Sequence, residues 1–386
     1  MIFSQEDIKA FQEMAASFAA KSVQPLLGRD SPDGDLSCVR GVLAEARDNG
    51  LIASPDPESP GFETGVWGKF AVDMGPRVSL LLLEELAVAC GGVAHIVHVW
   101  GLGSLVGNLA LQRPEMPEET VVALFEGGFP FSAQVLRYPE SRSPAEVRTV
   151  VERGKDEVIL KGRKDFVYQP ADTRAYIVFA RDGNEWRAFL VDAETEGLKR
   201  EDAGKVMGLR AASLVHLVFK DVKISGDREL QFGCPGYEPV LQYVRFYWLG
   251  VLAVAAGVAR GALRMAEQYA HERYQCCTEI INHPAVGALL LAEAESRINA
   301  CRSLLDHASA GSGDSFQDLS VAAQAKLVGM DLASRAVTDS LQVFGGYGYM
   351  EDYGMEKRYR DINTLKSVGG GARDMKTVVA GFREVL

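Results

Sequence analysis

The sequence has no block of clustered lysine or arginine, and its formal net charge is −11. That balance argues against nucleic acid or an anionic membrane surface as a partner. Cysteine is scarce. Cys38, Cys90, Cys234, Cys276, Cys277 and Cys301 are all six of them, and they form neither a Cys-x-x-Cys pair nor a metal-ligand spacing. In a chain of 386 residues this reads as reduced thiols in a cytoplasmic protein. The opening stretch MIFSQEDIKAFQEM lacks a basic segment followed by an apolar one, so no secretory signal is expected. The longest apolar run, VSLLLLEELAVAC, is interrupted by Glu84 and Glu85 and is too short to span a bilayer. No internal repeat or low-complexity segment occurs.

What the sequence does have is three zones of different period, with 47% hydrophobic residues to build a large core. Residues 1–122 are helical in pattern. Ser4 and Asp7 make a capping arrangement ahead of Ile8, Phe11, Met14, Ala15 and Phe18 at helical spacing, and Pro25 with the Ser-Pro-Asp-Gly run at 31–34 closes that helix. Leu80 to Val106 reads as one or two buried helices. Between 123 and 228 the period becomes two. The runs from Glu146, Glu157, Ala175, Trp186 and Leu214 predict strands of a small antiparallel barrel or sandwich. From 229 to 386 the pattern is helical again, with long Ala-rich segments over 249–273, 283–310 and 318–342 suited to an antiparallel four-helix bundle.

Particular motifs sharpen this α+β outline. Gln342-Val-Phe-Gly-Gly-Tyr-Gly348 leads into Glu356-Lys-Arg-Tyr-Arg-Asp361, after Tyr269-Ala-His-Glu-Arg273, Met207-Gly-Leu-Arg-Ala-Ala212 and Phe219-Lys-Asp-Val-Lys-Ile224. These segments, in this order, resemble those of the acyl-CoA dehydrogenase family, and the resemblance covers essentially the whole chain. It implies an N-terminal helical domain, a middle antiparallel β domain and a C-terminal four-helix bundle. It also implies FAD as cofactor, an acyl-CoA thioester as substrate, and a reaction that removes an α-proton with a carboxylate and a β-hydrogen as hydride.

The resemblance then exposes a gap. The family's catalytic glutamate lies nine residues past the Arg of its Arg-Asp pair, and that position here is Gly369. Members that carry the base on the first long helix of the bundle would have it near Tyr247, and Leu241 to Val258 contains no Asp or Glu. The nearest acids are Asp361 and Asp374, and Asp374 or Glu351 stays open as a substitute. The segment that cradles the flavin is altered too. Its threonine is Leu136, its small Gly-Ser pair is Ser141-Arg142, and the strand that backs the ring reads Phe166-Val-Tyr168. Phe166 is kept as an aromatic wall. The residues that family members lend to a neighbouring subunit's FAD are in register: Arg273, His283, Gln342, Gly345 and Gly346. Cys276 and Cys277 replace the aromatic residue and glycine that usually follow the Arg.

The losses therefore fall on the chain's own half of the site and the retained residues on the half it would lend. The expectation is a non-catalytic subunit of a heteromeric acyl-CoA dehydrogenase, a dimer of dimers that completes a catalytic partner's FAD site and passes electrons to an electron-transferring flavoprotein. Two alternatives stay open: an FAD-dependent monooxygenase or lyase on an acyl-CoA-like substrate, and a dehydrogenase with a relocated base. Arg245 is a candidate CoA contact and Arg142 a candidate phosphate ligand. His95 and His98 read as core residues rather than metal ligands, and Gly101 to Gly107 as helix packing rather than a phosphate loop.

Overall fold

A computed structural model of the chain describes residues 5–25, 37–54, 56–116, 121–124, 149–154, 157–183, 185–234 and 237–382. Among the described residues, six α-helices precede the sheet: α1 (Gln5–Phe18), α2 (Ser37–Asp48), α3 (Gly61–Thr64), α4 (Lys69–Met74), α5 (Arg77–Ala89) and α6 (Gly91–Leu109). Ser4 lies outside the described residues. On α1, Ala15 and Phe18 are buried while Met14 is exposed, so its apolar stripe is narrower than the spacing suggests. Helix α5 is buried on most faces, including both of its glutamates. Arg260 pairs with Glu84 at 2.8 Å and Glu85 at 2.9 Å, and Arg302 reaches Glu84 at 2.9 Å. Buried carboxylates are tolerated only with such partners, which is how two acids come to interrupt an otherwise apolar run.

The sheet comprises β1 (Val121–Leu124), β2 (Val150–Arg153), β3 (Glu157–Gln169), β4 (Ala175–Asp182), β5 (Glu185–Asp192), β6 (Leu198–Asp202), β7 (Ser213–Ser225) and β8 (Glu229–Leu230). Its order is β6-β7-β3-β2-β4-β5-β8, with β1 added on β4. Most pairs are antiparallel, but β1 and β2 both run parallel to β4, so the sheet is mixed. Strand β6 was not expected from the sequence. Leu-Lys-Arg-Glu-Asp has no apolar alternation because it is an edge strand whose side chains face mainly outward. On β3 the register slips between Lys164 and Val167, and this irregularity holds Phe166 at φ 55° with its ring exposed.

The C-terminal region is built on α7 (Tyr237–Glu272), α8 (Glu293–Ser309) and α9 (Ser315–Val343), followed by α10 (Met355–Leu365) and α11 (Ala372–Phe382). Helix α7 begins well before the expected Leu249, taking Pro239 into its first turn, where a missing N–H costs nothing. It is long and apolar enough to cross a membrane, yet its most apolar window is 89% buried inside the protein. The expected helix over 283–310 is interrupted: Pro284–Val286 is helical, Gly287–Ala292 forms a π-helical turn, and α8 follows. Small residues bring α7 close to its neighbours. A Cβ on Gly257 would stand 2.6 Å from that of Ala87.

Two of the sequence motifs meet at the junction of sheet and bundle. The Leu209 N–H donates to Asp361 Oδ1 at 2.6 Å, and Lys357 Nζ holds Asp361 Oδ2 at 2.7 Å. Gly208 lies so close to α10 that a Cβ there would stand 2.7 Å from Asp361 N. Met207-Gly-Leu and Arg360-Asp361 are thus two sides of one joint.

Candidate active site

The residues that matter converge where α6, β3, α7 and the turn at 368–370 meet. Gly369 (φ 66°) and Gly370 (φ 102°) both occupy backbone space that side chains disfavour. A Cβ on Gly369 would overlap Tyr247 Cε1 and stand 2.6 Å from its Cδ1. The two positions that the resemblance marks for a base therefore face each other, one a glycine and the other filled by a phenol ring. The carbonyls of this turn are all held. Trp248 Nε1 donates to Gly369 O at 2.7 Å, while Lys326 Nζ donates to Val368 O and Gly370 O, each at 2.6 Å. Lys326 is buried, and burial pushes its pKa down to about 7 against the opposing pull of Asp374. It also borders a cavity of about 280 Å³ shared with Met330, Lys366 and Met375.

Beside the turn lies a cluster of aromatic and imidazole rings. Trp67 Nε1 donates to His98 Nδ1 at 2.9 Å, and His98 Nε2 is 3.1 Å from Tyr247 O. Because indole is only a donor, His98 is the neutral tautomer with its proton on Nε2, donating to that carbonyl. Burial, with His95 nearby, lowers its pKa well below the usual value. Trp67 in turn stacks on Phe246, with centroids 5.2 Å apart. His95, one turn before His98, meets Tyr168 edge-on at 4.9 Å. Burial and the charge of Lys326 push the His95 pKa down to about 3. Tyr168 is pushed up to about 12 by burial and by Asp361, and Tyr247 is raised by burial with Tyr243 and Tyr168 nearby. Both phenols therefore stay protonated.

None of the acids suggested by the sequence takes up the missing role among the described residues. Asp361 is committed to Lys357 and the Leu209 N–H. Asp374 Oδ2 accepts from Gly371 N at 2.8 Å, securing the start of α11. Glu351 lies exposed in a 3₁₀ turn. Arg245 is corrected as a CoA contact: it pairs with Asp318 at 3.1 Å and donates to Ala308 O at 3.1 Å inside the bundle. Leu136 to Ser143, including Arg142, lie outside the described residues. His95 and His98 are core residues as expected. Gly101 is packing as expected, since a Cβ there would stand 2.9 Å from Trp67 Cδ1. Sequence reasoning missed Lys326 and Trp248 as anchors of the turn. Nothing local marks them, because the turn they hold is remote in sequence.

The residues read as lent to a neighbour gather elsewhere. Arg273 directly follows α7, about 40 Å along that helix from Tyr247 at 1.5 Å per residue. Its guanidinium lies 5.9 Å from the ring centroid of Tyr347, which follows Gly345 and Gly346 at the end of α9. Tyr269 and Phe344 stack at 4.4 Å and fix the two ends together. His283 Nε2 is 3.1 Å from Gln275 O in the hairpin of β9 (Tyr274–Gln275) and β10 (Thr278–Glu279), whose tip is Cys276-Cys277. Gln342, Gly345 and Gly346 are exposed, and a Cβ on either glycine would meet nothing within 4 Å. Open glycines beside an exposed arginine leave room for a phosphate-bearing ligand to approach the backbone, so these residues fit the FAD tail the resemblance implies. Phe166 is not part of this group. Its ring packs against His216 on the sheet, two residues from Tyr168 and hence beside the chain's own centre.

The family model "Acyl-CoA dehydrogenase, middle domain" matches residues 140–222, and "Acyl-CoA dehydrogenase, C-terminal domain" matches residues 243–380. The chain is 29% identical over 317 residues to a 3-sulfinopropanoyl-CoA desulfinase of Cupriavidus necator, covering 78% of this chain and 79% of that one. It is 29% identical over 395 residues to a short-chain-specific acyl-CoA dehydrogenase of Megasphaera elsdenii, covering 99% of each. The solved structure of butyryl-CoA dehydrogenase from Megasphaera elsdenii superimposes with a TM-score of 0.77 at 23% identity, over 99% of both chains.

Proposed function

This chain belongs to the acyl-CoA dehydrogenase family, and from that premise we propose that it is the subunit that completes the FAD site of a catalytic partner while offering no dehydrogenation site of its own. The carrying observation is the packing of Tyr247 onto Gly369, which leaves no base at either position and no room to restore one at Gly369 alone. The exposed Arg273, Gln342, Gly345 and Gly346 support the same reading. At about 40 Å from Tyr247 along α7, they cannot serve a flavin held at the chain's own centre. They have a use only across an interface with another subunit. When bound, FAD accepts the hydride lost from the acyl β-carbon. This chain's part is to hold the cofactor's tail, with an acyl-CoA thioester as the complex's substrate, an electron-transferring flavoprotein as its acceptor, and the cytoplasm as its compartment.

A second reading has one finding in its favour. The Cupriavidus necator relative is named for desulfination of a sulfinyl acyl-CoA rather than for dehydrogenation. Chemistry that needs no α-proton base would keep FAD in this chain's own site. One measurement separates the two: the visible spectrum of the protein purified alone and with its co-expressed partner. The half-site reading expects a colourless chain alone and a stoichiometric flavin complex with the partner. A flavin-saturated homo-oligomer that oxidises acyl-CoA unaided would overturn it, and one that holds flavin without oxidising acyl-CoA would favour the second reading.

A further inference from the structure

A cavity of about 280 Å³ is lined by Lys326, Leu327, Met330 and Asp331 of α9, by Lys366 just past α10 and by Met375 of α11. Lys366 and Asp331 are exposed, so the cavity reaches solvent on their side. Its volume suits a small organic molecule rather than a single water, whose share of the liquid is about 30 Å³. This is not the cleft at Tyr247. Gly369 turns its Cβ position onto that ring, whereas the carbonyls of Val368 and Gly370 on either side of it meet Lys326.

The lining defines the occupant. A lysine ammonium has three donors and no acceptor. Lys326 gives two of them to Val368 O and Gly370 O, each at 2.6 Å, and the third meets no acceptor among the described residues. The residue is 2% exposed, and buried donors are nearly always paired, so the third calls for an acceptor in the cavity it lines. Lys366 donates to Asn363 Oδ1 at 2.9 Å and has two further donors at the cavity rim. The lining carboxylate, Asp331, is engaged by Arg335 at 2.9 Å. Asp374, behind Gly370, accepts from Gly371 N. Two cations facing one paired carboxylate attract an anion, while Leu327, Met330 and Met375 make the remaining wall apolar.

We propose that this cavity binds a small monocarboxylate with a short apolar tail, its carboxylate on Lys326 and Lys366 and its tail against Leu327, Met330 and Met375. The proposal goes beyond the half-site function and does not rest on it. The occupant shares the ammonium that fixes the turn at 368–370, and the other side of that turn carries Tyr247 and Trp248. Binding in the cavity therefore bears on the geometry of the centre from behind.

Calorimetric titration of the full chain alone tests this, with hexanoate, hexanol, acetate and inorganic phosphate as probes. Burial lowers the Lys326 pKa to about 7, so the titration is run at about pH 6, where the amine is charged. Hexanoate should bind about ten-fold or more tightly than any other probe, since hexanol lacks the charge while acetate and phosphate lack the tail. Lys366→Glu reverses the charge at the rim, and Leu327→Trp fills the cavity. Each should weaken hexanoate about ten-fold or more. Lys366 is exposed, so the Tm of Lys366→Glu should stay near that of the wild type. If Leu327→Trp fails to fold, the probe ranking and Lys366→Glu decide. No saturable binding of hexanoate up to about 10 mM, equal binding of any other probe, or undiminished binding in Lys366→Glu each overturns the proposal. Undiminished binding in a folded Leu327→Trp places the ligand elsewhere and overturns it too. The half-site function is read separately, from the flavin content of the co-expressed complex, and neither result decides the other.

Discussion

The ring of Tyr247 stands where a side chain on Gly369 would have to begin, with its Cδ1 2.6 Å from that Cβ position. The relationship joins the two positions that the resemblance marks for a base. A carboxylate cannot return at 369 while the phenol is in place, and the left-handed backbone of Gly369 opposes any side chain independently. Trp248, next along α7, then holds the Gly369 carbonyl at 2.7 Å, so ring and turn are fastened together.

The first prediction follows directly. Gly369→Ala should destabilise the protein by about 1–3 kcal/mol, from positive φ together with overlap on the ring. Gly369→Glu should cost more and give no acyl-CoA oxidation. Adding Tyr247→Gly should recover part of that loss by removing the overlap. Urea unfolding of the two single variants and the double variant gives the coupling directly. Strict additivity would show that the ring is not what excludes a side chain at 369.

A second prediction concerns acid. Burial, with Lys326 nearby, pushes the His95 pKa down to about 3 in the folded chain, against an ordinary value of 6.5 in the unfolded one. Between those values the unfolded state binds the proton and the folded state does not, so stability falls as pH drops below 6.5 and stops falling near 3. His98, lowered by the same burial, adds to the slope. A His95→Phe variant should show a shallower loss of Tm between pH 6.5 and 4.5 than the wild type, and parallel curves would contradict the assignment.

Much of this architecture is legible in the sequence, and the reasons differ by element. The zones separate because a period of two and a period of about 3.6 leave different apolar spacings. Gly369 and Tyr247 each stand out as an empty base position through the family resemblance, but their contact does not. It spans two elements far apart in the chain, and no spacing rule carries that information. Lys326 is unreadable for the same reason: a lysine in an Ala-rich helix looks like a solvated face until the turn it holds at 368–370 is seen. Strand β6 is hidden by its exposed charges. Arg245 suggested a ligand contact by position alone, and Asp318, remote in sequence, takes it into the bundle instead.

Lys326 supplies the third prediction. Its ammonium is buried and its pKa lowered to about 7, against 10.5 when unfolded. Over that window the unfolded state holds the proton that the folded state has released, so its contribution to stability rises with pH from 7 to 10.5 and is least below 7. Lys326→Met removes this dependence and leaves the Val368 and Gly370 carbonyls without their donor. Each orphaned carbonyl costs about 1–3 kcal/mol. The Tm of the variant should therefore lie below that of the wild type, by a margin that widens between pH 7 and pH 9.5. A margin constant across that range would show that Lys326 does not titrate there.

The final prediction separates fold from function at the proposed half-site. Gly346 is exposed and a Cβ there meets nothing within 4 Å, so Gly346→Val is free of overlap and should change the Tm of the chain alone by less than about 0.5 kcal/mol equivalent. Arg273→Ala should be similarly mild, since the residue is exposed and its contact with Tyr347 is a surface cation–π pair worth about 0.5–1 kcal/mol. In the co-expressed complex both variants should lower flavin content by ten-fold or more at a fixed wash volume. Valine would block close approach of the cofactor to the backbone, and alanine would remove a charge that pairs with phosphate. Absorbance at 450 nm relative to 280 nm, measured on the purified complexes, reads the result. Full flavin content in both variants, with assembly intact, would mean that these exposed residues hold no cofactor and that their register with the family is only inherited.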